Sequence, residues 1–301
     1  MLEPTLRTLR GSALPHRLAD LGSPPSELYL RGELPRGPSV AIVGTRRPTR
    51  WGERFAERLA HALARAGVAV LSGGAIGIDA AAHEGALRAR GTTVAVAPAG
   101  WARPFPSENR DLFERIVGAG GAYASLVPDA TAATQPAFFA RNACLVALSH
   151  VLVVVEAGFR SGALNAARWA RELERPLLVV PHSPWSKKGR GCLIELRRGA
   201  GICEGPGDVL RELDRLFLTP LPLDGGAAQP TLPLTSPRTG LQADAKRVKA
   251  AIAAGATNVD EIMELTGLSP AVIQRQILTL TLAGVLAPDR SGHLSLSRAR
   301  G

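Results

Sequence analysis

Five loops contain most of the glycine, arginine and aromatic residues with which this 301-residue chain could bind a ligand. Each loop follows a short apolar run that we predict to be a strand. Backbone N–H groups at helix starts bind phosphate, basic side chains supply charge, and aromatic rings stack on unpaired bases. The combination predicts a groove for single-stranded nucleic acid. The loops are GTRRPTRW (44–51), SGGAIG (72–77), PAGWARPFPSENR (98–110), EAGFRSG (156–162) and PHSPWSKKGR (181–190).

The five loops are expected to form one rim, because ligands bind beyond the carboxyl ends of the strands in an open α/β sheet. Taken singly, an arginine-rich turn is usually a solvated surface and a loop tryptophan usually caps a core. Their coincidence on one rim favours binding. The basic members are Arg46, Arg47, Arg50, Arg103, Arg110, Arg160, Lys187, Lys188 and Arg190, and the aromatic members are Trp51, Trp101, Phe105, Phe159 and Trp185.

Enzymatic motifs are poorly supported in these loops. Gly44-Thr-Arg-Arg is not a G-x-G-x-x-G turn, and the chain has no G-x-x-x-x-G-K-[ST] motif. Ser72 and Ser161 have no evident His–Asp pair beside them. Glu156 and Asp79 could form a carboxylate pair, although buried carboxylates at strand ends more often hold loops through backbone hydrogen bonds. We therefore expect no cofactor, no metal and no catalytic residue.

Alternating strands and amphipathic helices must position these loops. The pattern is typical of an α/β protein with an extended Rossmann-like parallel sheet and helices on both faces. The predicted strands are Val40–Val43, Val68–Leu71, Thr93–Ala97, Val151–Val155 and Leu177–Val180. The predicted helices are Gly52–Ala66, Ile78–Arg90, Ser107–Val117, Ala137–Ser149 and Ser161–Glu174.

A proline- and glycine-rich linker is predicted to separate this domain from a smaller one. We expect a short N-terminal extension at 1–38, the Rossmann-like DNA-binding domain at 39–218, the linker at 219–240 and a winged helix-turn-helix domain at 241–301. The last is predicted from helices at Asp244–Ala254, Val259–Thr266 and Pro270–Ala283, followed by a hairpin.

The charge balance agrees with an acidic partner. Lys and Arg total 36 against 26 Asp and Glu, a formal net charge of +10, and 46% of the residues are hydrophobic. The three cysteines are too far apart to indicate a disulfide framework or a zinc site. With no apolar run long enough for a signal peptide or a membrane span, we expect a cytoplasmic protein without a membrane partner.

Several segments resemble, in order and spacing, the DNA-processing protein A family, also called DprA or Smf. They are VAIVGTRRP, SGGAIGIDAAAHEGAL, RPFPSENRDLFERI, FFARNACLVALSHVLVVVEAGFRSGALNAARWA and GCLIELRRGA, between about Leu28 and Leu216. The C-terminal sixty residues resemble the winged-helix domain of many members. The resemblance implies a homodimer that binds and protects single-stranded DNA without sequence preference. It also implies loading of the RecA recombinase, notably in natural transformation, and no catalysis.

The family's DNA pocket falls on matching positions of this chain. The resemblance places its Gly-Ser/Thr-Arg turn at Gly44–Arg46, its Ser-Gly turn at Ser72–Gly73, its Arg-Asn pair at Arg141–Asn142 and its second Ser-Gly at Ser161–Gly162. Together with the basic rim, the predicted DNA-binding residues are Gly44, Thr45, Arg46, Arg47, Ser72, Gly73, Arg103, Asn109, Arg110, Arg141, Asn142, Ser161, Gly162, Lys187 and Lys188.

The chain departs from the family pattern at Ile76, Ala143 and Ala166, where the family has Arg, Arg and Thr. Lys187, Lys188 and Arg190 could compensate for the lost polar groups. The alternative function is a Rossmann-like phosphoribohydrolase, whose helix start reads Gly-Gly-x-Gly-Thr-x-x-Glu. Asn165 stands here where that Glu would act as a base, so the catalytic group is missing.

A dimer interface is predicted at Leu193, Ile194 and Leu196, in a segment that resembles the family's self-association region. The same three residues could instead cover their own sheet. The sequence leaves open which surface contacts RecA and whether the role is transformation or repair.

Overall fold

The computed structural model describes residues 5–159, 161–218, 238–254, 256, 259–268, 272–273, 276–277, 280, 286–288 and 294–296. These residues form two compact units, one up to residue 218 and one from residue 238. The strands of the first unit are β1 (Arg7–Arg10), β2 (Glu27–Gly32), β3 (Ser39–Val43), β4 (Ala69–Ser72), β5 (Thr93–Ala97), β6 (Ala122–Ser125), β7 (Val151–Val154), β8 (Leu177–Val179) and β9 (Gly201–Ile202). Its α-helices are α1 (Arg50–Arg65), α2 (Ile78–Arg88), α3 (Arg110–Gly118), α4 (Gln135–Leu148), α5 (Gly162–Glu172), α6 (Arg190–Arg197) and α7 (Pro206–Leu218).

The described strands of this unit form one sheet in the order β1-β2-β6-β5-β4-β3-β7-β8-β9. From β6 to β9 all neighbouring strands are parallel. Helices cover both faces, and the strands alternate their apolar side chains between two cores. Val40 and Ile42 of β3 pack under α1 and α2, whereas Ala41 and Val43 pack under α4 and α5. The predicted Rossmann-like fold is confirmed.

The sheet is mixed rather than wholly parallel, which corrects the prediction at one edge. β1 and β2 pair antiparallel with each other, and β2 pairs antiparallel with β6. Both strands lie in the segment predicted to be an N-terminal extension. Leu28 and Leu30 alternate with half-buried neighbours and bury their side chains in the core of the sheet, so this segment belongs to the same fold. The prediction also lacked β6 and β9.

The second unit contains α8 (Arg238–Ala253), α9 (Val259–Thr266) and an antiparallel hairpin of β10 (Leu286–Pro288) and β11 (Leu294–Leu296). Val248, Ile252, Ile262 and Ile273 are buried in its core. Most of the predicted third helix, Pro270–Ala283, and most of the predicted linker lie outside the described residues. The predicted domain boundaries stay a prediction.

Cys144, Cys192 and Cys203 are buried free thiols. Burial raises the pKa of Cys144 and of Cys203 to about 12. These two side chains are therefore neutral thiols at physiological pH and pack as small apolar groups.

Within the described part of the chain, none of the helices has the length and apolar character needed to cross a membrane.

Candidate nucleic-acid interface

A cleft of approximately 360 Å³ lies at the carboxyl edge of the sheet. The chain runs from β3 outward through β4 to β6 and then continues on the other side of β3 with β7. The order of the strands therefore reverses at β3, the position where open α/β sheets form their ligand crevice. The loop after β3, the start of α5 and the side chains of α4 line this cleft.

The structure brings seven of the predicted site residues together in the lining of the cleft. Among the other lining residues, which sequence reasoning did not assign to the site, four are polar or aromatic: Gln135, Phe138, Phe139 and Asp79. Two adjacent phenylalanines at the start of a helix, three residues before Arg141–Asn142, were the signal that could have revealed the aromatic wall. The seven predicted members are Gly44, Thr45, Arg46, Arg141, Asn142, Ser161 and Gly162.

The loop after β3 is held in place by a buried carboxylate. The Thr49 N–H donates to Glu156 Oε2 at 2.8 Å, the Thr49 hydroxyl donates to Glu156 Oε1, and the Thr45 N–H donates to the Glu156 carbonyl at 2.8 Å. A Cβ at Gly44 would lie 2.6 Å from the Ile78 side chain, so the turn requires glycine. Glu156 thus positions the loop, as the sequence analysis favoured.

Arg46 extends from this loop over two aromatic rings. Its guanidinium carbon lies 5.1 Å from the ring centroid of Phe138 and 5.8 Å from that of Phe105. The two rings pack edge to face, with centroids 5.3 Å apart. Arg46 is exposed and makes no ion pair within the part of the chain that the structure describes. Its guanidinium can therefore donate to an incoming anion while its flat face stays on the rings.

Arg141 and Asp79 form a buried pair in the floor of the cleft. Arg141 Nη1 lies 3.7 Å from Asp79 Oδ2, and both side chains are more than nine-tenths buried. Burial raises the pKa of Asp79, and the Arg141 charge and backbone N–H groups oppose that rise. A Cβ on Gly73 would lie 1.2 Å from Arg141 Nη1. Gly73 therefore acts by leaving room for this guanidinium.

The second wall of the cleft is the amino-terminal end of α5. The Ser161 hydroxyl accepts a hydrogen bond from the Ala163 N–H at 3.3 Å and caps the helix. Asn142 Nδ2 donates to the Gly162 carbonyl at 3.3 Å and to Asn165 Oδ1 at 3.0 Å. These bonds tie α4 to α5. The N–H groups of Ser161, Ala163 and Leu164 are already bonded at this end, so it attracts an anion mainly through the positive end of the α5 dipole.

The other predicted site residues lie outside the lining of the cleft. Ser72 is buried, and its hydroxyl donates to the Ile42 carbonyl at 2.6 Å, so it serves the sheet. Asn109 Nδ2 donates to the Gly74 carbonyl at 2.9 Å. The remaining ones, whose binding role stays a prediction, are Arg47, Arg103, Arg110 and Lys187, which are exposed, and Lys188, which is half-buried.

Two aromatic residues of the rim differ in their surroundings, and one departure from the family pattern lies in the cleft. Trp101 packs on Tyr123 with ring centroids 5.2 Å apart, and Arg31 lies over it, so this ring belongs to the fold. Trp185 is 90% exposed. Ala166 lines the cleft, so the position where the family has threonine is apolar here.

Fold and cleft together define a Rossmann-like α/β protein with an arginine- and phenylalanine-lined crevice at its switch point. The chain belongs to the family described as DNA recombination-mediator protein A, whose model matches residues 5–214. A second model, the DprA winged helix domain, matches residues 232–289. This confirms both the recognised family and the predicted C-terminal winged-helix domain.

Individual relatives agree with this assignment. Protein Smf of Synechocystis is 33% identical over 306 residues, which cover 91% of this chain and 76% of that protein. The X-ray structure of DNA processing protein A from Streptococcus pneumoniae has a TM-score of 0.65 at 29% identity and covers 69% of this chain and 74% of that one. A structure that describes the single-stranded DNA binding mode of DNA processing protein A from Helicobacter pylori has a TM-score of 0.62 at 29% identity and covers 71% of this chain and 99% of that one.

Proposed function

We propose that this protein binds single-stranded DNA without sequence preference in the cleft at the carboxyl edge of the sheet. The observation that carries the proposal is Arg46, an exposed cation over the rings of Phe138 and Phe105, beside the amino-terminal end of α5. A phosphate can bind the guanidinium next to the positive end of the α5 dipole, while an unpaired base contacts the aromatic wall. The single-stranded DNA binding of the Helicobacter pylori relative supports the same assignment.

A binding role without catalysis is the second part of the proposal. Asn165, at the position where a phosphoribohydrolase would have its glutamate, accepts a hydrogen bond from Asn142. Glu156 accepts hydrogen bonds from Thr49, and Asp79 is paired with Arg141. An amide thus stands where the base would be, and the two carboxylates are engaged in holding the cleft, which supports binding over hydrolysis.

One titration tests both parts. The full chain is titrated with a single-stranded oligonucleotide and with the duplex of the same sequence over a series of salt concentrations, and the mixture is assayed for free base. We expect tighter binding of the single strand, a decrease of affinity with salt and no released base. Preference for the duplex, or release of base in proportion to protein, would contradict the proposal.

We further propose that the protein is a cytoplasmic homodimer that protects single strands and assists the loading of a RecA-type recombinase in natural transformation. Ile194 and Leu193 are half-buried, and Leu196 packs against the core of its own unit. The dimer proposal therefore rests on Leu193 and Ile194 more than on Leu196, whose side chain packs inside its own unit. Sedimentation as a monomer well above micromolar concentration would reject the dimer.

The winged-helix domain is expected to contribute little to the affinity for a single strand. Residues 241–301 contain seven basic and five acidic residues, whereas the chain up to Pro220 contains 28 and 20. Truncation after Thr219 should therefore change the affinity at constant salt by less than about threefold, or roughly 0.6 kcal/mol. Loss of most of the affinity in the truncated protein would show that the second unit makes phosphate contacts.

A further inference from the structure

We propose that the outer surface of α1 forms a second segment of the single-strand path, continuous with the cleft. This α1 stripe consists of Arg50, Trp51, Arg54, Phe55 and Arg58. The proposal rests on the proposed function, because it extends the same ligand beyond the residues that line the cleft. It assigns three arginines and a tryptophan that the cleft itself does not use.

The stripe consists of two adjacent ridges of the helix. Arg50, Arg54 and Arg58 recur every four residues, and Trp51 and Phe55 repeat the same interval one position later. Side chains four residues apart form a continuous ridge on a helix surface, with a rise of about 6 Å per interval. A row of cations about 12 Å long therefore runs beside a row of aromatic rings.

The exposed groups of the stripe lack partners in the described part of the chain. Arg50, Arg54 and Arg58 are exposed and make no ion pair or side-chain hydrogen bond there. Trp51 is 78% exposed, and among the large apolar residues that the structure describes only Trp185 is more exposed. Glu57 of the same helix is already engaged by Arg88 of α2. Three free cations beside an exposed indole favour an anionic ligand with flat rings.

A groove beside the stripe offers room for such a ligand. The groove has a volume of approximately 510 Å³ and lies between α1 and the start of α7. Trp51, Arg54, Phe55 and Arg58 line it on one side, and Pro206 lies on the other. Glu204 is the one carboxylate among its lining residues, so the groove as a whole is basic. A base can stack on Trp51 while the arginines contact phosphates, so a single strand would use both the aromatic and the basic side chains of the groove.

Continuity with the cleft favours nucleic acid over an acidic polypeptide. α1 begins at Arg50, one residue after Thr49, whose bonds to Glu156 hold the loop that presents Arg46. A strand that leaves Arg46 on this side therefore meets the positive end of the α1 dipole and then the stripe. An acidic polypeptide would use the arginines but has no comparable need for the adjoining cleft.

The test compares two strand lengths on the full chain, because only a longer strand can reach from the cleft to the stripe. The probes are oligothymidylates of about 6 and about 20 nucleotides, lengths chosen around the site sizes of single-strand binding modules. The variant Arg54→Ala/Arg58→Ala removes two exposed side chains. The control Arg36→Ala/Arg168→Ala removes the same charge from exposed positions in the loop before β3 and on α5.

We expect the stripe variant to bind the longer strand roughly tenfold more weakly at low salt, with a slope of log affinity against log salt reduced by about 1.4. Binding of the short strand should stay within about twofold, as for the control variant on both strands. Trp51→Ala should weaken binding of the longer strand, and Trp51→Phe should restore it, because phenylalanine keeps a stacking ring.

Three outcomes overturn the inference, and the first two of them leave the proposed function intact. If Arg46→Ala weakens both strands but the stripe variant equals the control on both, the cleft binds DNA and the stripe does not. If the stripe variant loses only binding to polyglutamate, the surface serves an acidic protein partner. If the wild-type protein binds neither oligothymidylate, the proposed function fails and the inference fails with it.

Discussion

Replacing Arg46 with alanine is expected to reduce the affinity for single-stranded DNA roughly thirtyfold, or about 2 kcal/mol, at low salt. The physical reason is that Arg46 supplies the exposed cation of the cleft and holds it over the rings of Phe138 and Phe105. The loss should be similar for different base sequences, because a phosphate contact does not distinguish bases. Fluorescence anisotropy with labelled oligonucleotides over a salt series measures it.

Arg36→Ala is the matched control for this variant. Arg36 is equally exposed and lies in the loop that leads into β3, at the opposite edge of the sheet from the cleft. Its removal changes the net charge by the same amount but should alter the affinity by less than about twofold. Equal losses for the two variants would mean that binding responds to overall charge and that the cleft has no special role.

A large loss of stability is expected when Arg141 is replaced by methionine. The substitution keeps much of the side-chain volume but leaves Asp79 buried without its counter-charge, which costs about 3–5 kcal/mol of unfolding free energy. Asp79 would relieve part of this cost by taking up a proton, since burial already raises its pKa. Urea denaturation of the DNA-free protein at neutral pH measures the loss.

The double variant Asp79→Asn/Arg141→Met separates the charge effect from the loss of packing. With no buried charge left, it should recover a substantial part of the stability that Arg141→Met loses. The recovery should shrink at acidic pH, where Asp79 of the single variant is itself protonated. If the double variant is as unstable as the sum of the two single variants, the pair contributes no coupling energy, and the floor of the cleft is held by packing alone.

The general position of the candidate site could be predicted from the sequence because parallel strands place their carboxyl ends at one edge. Gly44–Arg46 and Ser161–Gly162 are far apart in the chain, yet both follow strands next to the switch point and line one cleft. Thr49 caps the start of α1 and Ser161 caps the start of α5, so the local geometry at the end of both loops is visible in sequence. The family resemblance added Arg141–Asn142, which follow no strand directly.

The hydrogen-bond and ion-pair partners of individual polar groups could not be predicted, because they come from distant parts of the chain. Ser72 and Arg46 both look like ligand contacts in the sequence, but the Ser72 hydroxyl is bonded to the Ile42 carbonyl inside the sheet. The ion pair of Arg141 could not be predicted either, because its partner Asp79 lies on a different helix. The aromatic wall was missed because Phe138 and Phe139 read as ordinary apolar residues of an amphipathic helix.

The strands β2 and β6, near the β1 edge of the sheet, escaped prediction for a related reason. The β6 run Ala-Tyr-Ala-Ser contains two alanines and a serine, which have weak strand preference, and it is a strand because it lies between β5 and β2. β2 shows the alternation of a strand, but β6, the partner that joins it to the rest of the sheet, is at least ninety residues away in the chain. Such pairing is decided by the fold as a whole and leaves little local signal.

Photochemical cross-linking tests the central claim most directly, because it locates the bound strand on the protein. A single-stranded oligonucleotide that contains iodouridine is irradiated in complex with the full chain, and the cross-linked peptides are identified by mass spectrometry. We expect cross-links at Phe138, Phe139 or Phe105, the aromatic residues at and beside the cleft that binds phosphate through Arg46. Cross-links confined to residues 238–296, or to Phe217 and His150 at the opposite edge of the sheet, would contradict it.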